Sequence, residues 1–283
     1  MVQGPVLVTG TSSGIGREIT ELLASKGHTV YATVRRESDA SSFQGHPHVV
    51  PLPLDVSRPS SVQAMADFIR KEGRGLYGLV NNAGVASFGP LVAAPVEDLQ
   101  RVLDVNLLGA YRVTSACFPY LRESRGRVVN ISSVEGFLTA MFDGAYVISK
   151  HALEAYTDVL RDEVAPFGIR VSAVEPGGFR TKLLANLAAL KGPEFLQAFR
   201  QSPYAEMIEE GARRELVSEG GLELTKRPPP RPVAHAVYDA LFSSSPRPRY
   251  LIAKPEDRRE VLNRVRTWID QLDASPEFAL DSG

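Results

Sequence analysis

Six short runs rich in β-branched residues punctuate the first two thirds of the chain: Val6 to Val8, Thr29 to Val34, Val49 to Leu54, Leu79 to Asn82, Arg127 to Ile131 and Arg170 to Glu175. The stretches between them are long enough for helices. A parallel strand pair needs a long crossover, and an amphipathic helix is the crossover that hides a sheet face, so this rhythm dictates an α/β fold with a doubly wound parallel sheet. Between the first two runs, Ile15, Ile19, Leu22 and Leu23 share one face of a helix that ends at Lys26-Gly27. Ser57 and Pro59 read as a cap and a first-turn proline ahead of a helix through Ala64 to Ile69, and Pro166 and Gly168 stop a helix running from Ser149 to Val164. A helix over Val233 to Phe242, a last strand over Tyr250 to Ala253 and a polar helix from Pro255 to about Leu272 finish the pattern, with Trp268, Val265 and Leu272 as the last helix's packing face.

The 283 residues suit one domain over 1–273, with 182–230 as an inserted lid and 274–283 as a flexible tail. Leu183, Leu184, Leu187, Leu190, Phe195, Leu196, Phe199, Tyr204 and Met207 punctuate the insertion, which closes at Pro228, Pro229 and Pro230. A long insertion behind a strand's C-terminal end is where ligand-covering lids sit in α/β folds. No repeat of solenoid period is visible. A formal charge of −1 with scattered basic residues gives no footprint for nucleic acid. Cys117 is the only cysteine, so no intrachain disulfide can form, and a buried structural thiol in a reducing cytoplasm is expected. No secretory leader is read at the N-terminus, and no run reaches the ~18 apolar residues of a membrane span. His46 and His48 lack a third ligand in reach and read as surface residues rather than a metal site; Glu209 to Glu215 reads as a solvated helical face.

Two local patterns carry chemistry. Thr9-Gly10-Thr11-Ser12-Ser13-Gly14-Ile15-Gly16 follows a strand and opens a helix, where glycines let the backbone turn tightly and approach a diphosphate lying on the helix N-terminus. Its spacing departs from the common dinucleotide fingerprint. Tyr146 and Lys150 stand at i, i+4 on one helix face, so an ammonium can lie beside a phenol and draw it toward acid/base range.

The glycine spacing resembles the coenzyme loop of the short-chain dehydrogenase/reductases. The resemblance extends in order through Asn81-Asn82-Ala83-Gly84, Asn106, Ser133, Tyr146, Lys150 and Pro176-Gly177, covering Val6 to Thr181. It implies a Rossmann fold and catalysis by Asn106, Ser133, Tyr146 and Lys150. Tyr146 would exchange a proton with a carbonyl or alcohol oxygen while hydride moves to or from nicotinamide. Lys150 would depress the phenol pKa and hold ribose hydroxyls, Ser133 would hydrogen-bond the substrate oxygen, and Asn106 would anchor a water linking Lys150 to solvent. Gly10, Ser12, Ser13, Gly14, Ile15 and Gly16 would cradle the coenzyme. Asp55 and Val56 would meet adenine, Asn82, Ala83 and Gly84 the adenosine side, and Pro176, Gly177 and Thr181 the nicotinamide end.

An acidic residue closing the second strand would take both ribose hydroxyls of NAD(H); here Val34 is followed by Arg35 and Arg36, so NADP(H) is expected with Arg35 as principal contact to a 2′-phosphate. NAD(H) stays open as the alternative, as does a dinucleotide-sensing regulator without turnover. Phe137, Leu138, Met141 and Phe142, with the insertion opposite, should desolvate an apolar molecule. The Tyr-Ala-Thr-Val-Arg strand, the Val-Glu-Pro-Gly stretch and the long insertion resemble the family's steroid and retinoid branch, which implies a lipophilic ketone or aldehyde. The resemblance also implies a homodimer or homotetramer, through the helices bearing Asn106 and Lys150. Their apolar residues Leu103, Leu107 and Ala110, or Leu153 and Leu160, suit an interface or an internal core equally.

Overall fold

A computed structural model describes residues 4–181, 183, 203–207, 210 and 227–273. In chain order its elements are β1 (Val6–Val8), α1 (Gly14–Ser25), β2 (Val30–Val34), α2 (Glu37–Ala40), β3 (Val49–Pro53), α3 (Pro59–Glu72), β4 (Gly78–Asn81), α4 (Val96–Leu103), α5 (Gly109–Ser124), β5 (Arg127–Ile131), α6 (Gly144–Val164), β6 (Arg170–Pro176), α7 (Arg231–Phe242), β7 (Arg249–Ile252) and α8 (Pro255–Asp273). The strands form one parallel sheet in the order β3-β2-β1-β4-β5-β6-β7. The order reverses between β1 and β4, and a crevice opens at the strands' carboxyl ends there.

Strand residues are apolar on both faces because helices cover both. Val6, Val8, Val30, Ala32, Val80, Val129 and Val174 join one core with Ile19 and Leu23 of α1 and Val233, Val237 and Leu241 of α7. Leu7, Tyr31, Leu79, Val128 and Val171 point the other way, onto Met65 and Ile69 of α3 and Val113, Cys117 and Leu121 of α5. Burying one such aliphatic side chain contributes roughly 1.5–3 kcal/mol. Cys117 is fully enclosed, and burial pushes its thiol up to about 12, which makes it inert packing.

Several boundaries differ from the sequence reading for local reasons. Ser57 is not the cap of α3: its N–H and hydroxyl both donate to Asp55 Oδ1, and Arg58 takes the cap position before Pro59. Helix α6 begins at Gly144, five residues before Ser149, which puts Tyr146 in its first turn. A π turn over Asp104–Leu108 joins α4 to α5 and holds Asn106 inward at 2% exposure. Of the apolar residues on these helices, Ala110 and Leu153 are buried and Leu160 packs on the core, whereas Leu108, Tyr111, Ile148 and Val159 are exposed.

Helix α8 docks through buried Val261 and through Trp268, whose ring lies 6.2 Å from that of His151. The Leu272 side chain, the 274–283 tail, and all of 182–230 except 183, 203–207, 210 and 227–230 lie outside the described residues. Among the described residues no helix is long and apolar enough to cross a membrane.

Candidate active site

A cleft of about 1570 Å³ lies over the β1/β4 reversal. Gly10, Ser12, Ser13, Gly14, Ile15, Arg35, Asp55, Val56, Asn82, Ala83, Gly84, Ser133, Tyr146, Lys150, Pro176, Gly177 and Thr181 all line it. Gly16 and Asn106 stand one layer behind and shape it indirectly.

One end of the cleft is made by backbone. Gly10 has φ +70°, and a Cβ there would come within 2.9 Å of Ala83 Cα. At Gly16 a Cβ would meet the Gly10 carbonyl at 2.3 Å and Asn82 Nδ2 at 2.4 Å. Only glycine allows that approach. Asn82 Nδ2 donates to the Thr9 and Gly10 carbonyls at 2.8 and 3.0 Å, while Thr9 Oγ1 accepts the Asn82 and Ala83 N–H groups at 2.8 and 2.9 Å. The Asn82 amide nitrogen therefore braces the turn while the residue lines the cleft. Ser13, at the N-cap of α1, makes no side-chain cap bond, and the first turn carries no acid. The helix N-terminus is thus left to an anion, so these residues fit a dinucleotide diphosphate.

Beyond the turn, Arg36 donates twice to Asp39, at 3.2 Å each, and is committed to it. Arg35 makes no ion pair among the described residues. Burial pushes the Asp55 carboxyl up, but the Ser57 bonds and the charges of Arg58 and Arg35 outweigh it and hold Asp55 below the usual range.

The other end is made by side chains. Ser133 caps the turn Val134–Gly136, its Oγ accepting the Glu135 N–H at 3.1 Å, and it also hydrogen-bonds Tyr146. Lys150 is 5% exposed; its Nζ donates to the Ile131 carbonyl at 2.8 Å and lies 5.4 Å from the Tyr146 ring centre. Burial lowers Lys150 to about 8, against the raising influence of Glu154 and Glu135. Burial likewise pushes the Tyr146 phenol above its ordinary value, helped by Glu135 and Asp143 and opposed by the Ser133 bond. Desolvation is thus the largest influence on both groups.

Asn106 is held by three hydrogen bonds. Its Nδ2 donates to the Val85 carbonyl and to Ser149 Oγ, both at 2.9 Å, and its Oδ1 accepts the Val85 N–H at 2.8 Å. Its Nδ2 donors are both used in clamping the cleft floor to α6. Of the four apolar residues before Tyr146, only Leu138 lines the cleft. Phe137 lies under the Arg249 guanidinium at 5.4 Å, Phe142 packs on Phe88 and Tyr204, and Met141 is exposed. Phe142 sits at φ +70° with its carbonyl accepting the Gly89 N–H at 2.7 Å, which turns the segment away from the reacting groups.

Sequence reasoning missed Glu135, Arg101 and Lys254 on the cleft wall, and the polar ladder beneath it. In that ladder Asn81 Nδ2 donates to Thr114 and Asn130, and Asn130 Nδ2 donates to Thr157, tying β4, β5, α5 and α6 under the site. Asn81 beside Asn82 was the available signal.

A family model described as short chain dehydrogenase matches residues 5–191. Retinol dehydrogenase 5 of Mus musculus is 39% identical over 287 residues, covering 93% of this chain and 88% of that protein. The 17-beta-hydroxysteroid dehydrogenase type 6 of Homo sapiens is 36% identical over 205 residues, covering 70% and 63%. Among solved structures, a short-chain dehydrogenase from Streptomyces avermitilis matches with a TM-score of 0.78 at 29% identity over 96% of each chain.

Proposed function

Since the chain belongs to the short chain dehydrogenase family, oxidoreductases acting on CH–OH donors with NAD(P), we propose that it interconverts a lipophilic ketone or aldehyde, steroid- or retinoid-like, and its alcohol, using NADP(H) with Tyr146 as proton donor. The carrying observation is convergence. Tyr146, Ser133 and Lys150 meet on one wall of the cleft whose far end is the glycine turn.

Bound nicotinamide would supply or accept the hydride; the chain supplies the proton, the alignment and the exclusion of water. The α1 N-terminus and the turn from Gly10 to Gly16 hold the diphosphate, Arg35 pairs with the 2′-phosphate, and Pro176, Gly177 and Thr181 border the nicotinamide end. Burial keeps Tyr146 protonated through neutral pH, so it meets a substrate oxygen as a neutral acid. Ser133 has spent an acceptor site on the Glu135 N–H, and its hydroxyl proton serves the phenol or the substrate oxygen. Lys150 uses one of three donors on Ile131, leaving two for ribose hydroxyls and the phenolate that forms on proton transfer.

Turnover of a panel of hydrophobic ketones, followed at the reduced-nicotinamide absorbance, tests the reading. Tyr146→Phe should lower kcat by about 10³-fold or more with coenzyme binding nearly intact. A variant that stays active removes Tyr146 from the chemistry.

Asp39 supports a second reading, NAD-linked oxidation of a hydrophobic alcohol, since its carboxylate lies on the cleft wall where ribose hydroxyls could be taken. Comparing the Kd of NADP and NAD for the intact protein separates the two. The exposed Leu108, Tyr111, Ile148 and Val159 support a homo-oligomer, checked by sedimentation of the full chain.

A further inference from the structure

One turn below Lys150 on α6 lies Glu154, 6% exposed. A carboxylate does not enter a core without compensation. Arg249, arriving on β7 from nearly a hundred residues away, donates to Glu154 Oε2, to Glu175 Oε1 at 2.9 Å and to Asp158 Oδ2 at 2.5 Å. Glu175, on β6, is 2% exposed. Arg161 closes the cluster at its outer edge through Asp158 at 2.6 Å.

This cluster touches the reacting groups on two sides. Glu154 Oε1 is buried and has no hydrogen-bond partner among the described residues. It faces the turn that carries Ser133: a Cβ at Gly136 would fall 2.8 Å from Glu154 Cγ and 2.9 Å from that oxygen. Phe137, next in the same turn, lies beneath the Arg249 guanidinium. On the other side, Glu154 is the leading charge that favours the Lys150 ammonium, and Glu135 on the turn adds to it with the same sign. Tyr146 on α6 and the Ile131 carbonyl on β5 complete the lysine's polar surroundings.

Charge balance gives the cluster a purpose that the individual pairs do not. Glu154, Glu175, Asp158 and Glu135 surround Arg249, Arg161 and Lys150, so the carboxylates already match or exceed the cations while the lysine carries its proton. Removing that proton adds to the negative charge of a largely buried group. Burial, followed by Glu154, raises Glu175 to about 7, and burial lowers Lys150 to about 8, so Glu154 acts on two buried groups that are both displaced toward neutrality.

We propose that Glu154, Arg249 and Glu175 form a positioning device for Lys150. Their combined charge holds the lysine as an ammonium during turnover, and Arg249 sets how much of the Glu154 charge the lysine feels. The proposal rests on the reading of Lys150 as the partner of coenzyme and phenolate. Neither Glu154 nor Arg249 lines the cleft, so they act through Lys150 and the Ser133 turn rather than on substrate.

The test is the titration of the Lys150 side chain by NMR in the full, coenzyme-free chain, its signal assigned by loss in Lys150→Met. Glu154→Gln should lower the midpoint by about one pH unit, and Arg249→Gln, which unmasks Glu154, should raise it by a similar amount. Arg249→Lys should restore the wild-type midpoint. Opposite shifts from two variants that break the same ion pair are what an electrostatic device produces and a purely structural role does not. Shifts of the same sign, or none, overturn the proposal. Should Arg249→Gln not fold, Glu175→Gln replaces it and should lower the midpoint; an unmoved midpoint there counts equally against. The alkaline limb of the kcat/KM profile should follow the NMR midpoints. Opposite NMR shifts in a protein that turns over no carbonyl would sink the function and leave the cluster standing; normal turnover with unmoved midpoints would do the reverse.

Discussion

At the coenzyme end of the cleft the wall is main chain, with Gly10 and Gly16 pressed against Ala83 and Asn82 and the bare N-terminus of α1 between them; at the reacting end it is side chains, Tyr146, Ser133, Lys150 and Glu135, with Ser133 bonded to Tyr146 and Lys150 to the β5 carbonyl of Ile131. The first end works by leaving atoms out, the second by placing charges where burial penalises them. A backbone cradle tolerates no added atom, whereas a charged site tolerates small changes of shape but not of balance.

Substitutions at the two ends should therefore fail in different ways. The largest effect belongs to the reacting end: Lys150→Met should lower kcat/KM by roughly 10²–10³-fold while leaving the fold intact, as steady-state kinetics and circular dichroism would show. Gly16→Ala should do the opposite, since its methyl would lie 2.3 Å from the Gly10 carbonyl. We expect a loss of about 1–3 kcal/mol in stability from this overpacking, and dinucleotide binding weakened by at least about tenfold in fluorescence titration. A Gly16→Ala protein with normal affinity would break the contrast.

Arg35→Ala sharpens the picture within the coenzyme end. Arg36 is already paired to Asp39, so removing Arg35 alone should cost about tenfold in NADP affinity and leave NAD binding unchanged by calorimetry. Equal loss for both coenzymes would place Arg35 on a shared group instead.

The smallest effect is in stability against pH. The Glu175 carboxyl, raised to about 7 by burial and then by Glu154, binds its proton more tightly folded than unfolded. Its stabilising contribution is complete below the ordinary value of 4.5 and is lost as pH rises through 7. Glu175→Gln should flatten that decline in Tm between those limits; an unchanged slope would mean that Arg249 fully offsets the burial.

The contrast also explains what could be read from sequence. The sheet rhythm was legible because strands β1 to β6 send apolar residues to both faces, and the glycine turn because no other residue fits where Gly16 does. Tyr146 and Lys150 were legible because four residues on one helix fix their own geometry. What was hidden depends on meetings between distant segments. The π turn aims the Asn106 amide at Val85 and Ser149, where local pattern alone gives only a helical asparagine. Phe137 was read as a pocket wall, but Arg249, unread in the sequence, gathers it to the far side. The pairing of Arg36 with Asp39, three residues on, was likewise not read from the sequence.

The account stands most directly on where a dinucleotide lies. A crystal of the full chain soaked with NADP should place the diphosphate on the α1 N-terminus beside Gly14, the 2′-phosphate against Arg35 and the nicotinamide within reach of the Tyr146 hydroxyl. A coenzyme bound elsewhere, or seated on the glycine turn with its nicotinamide directed away from Tyr146, would contradict it.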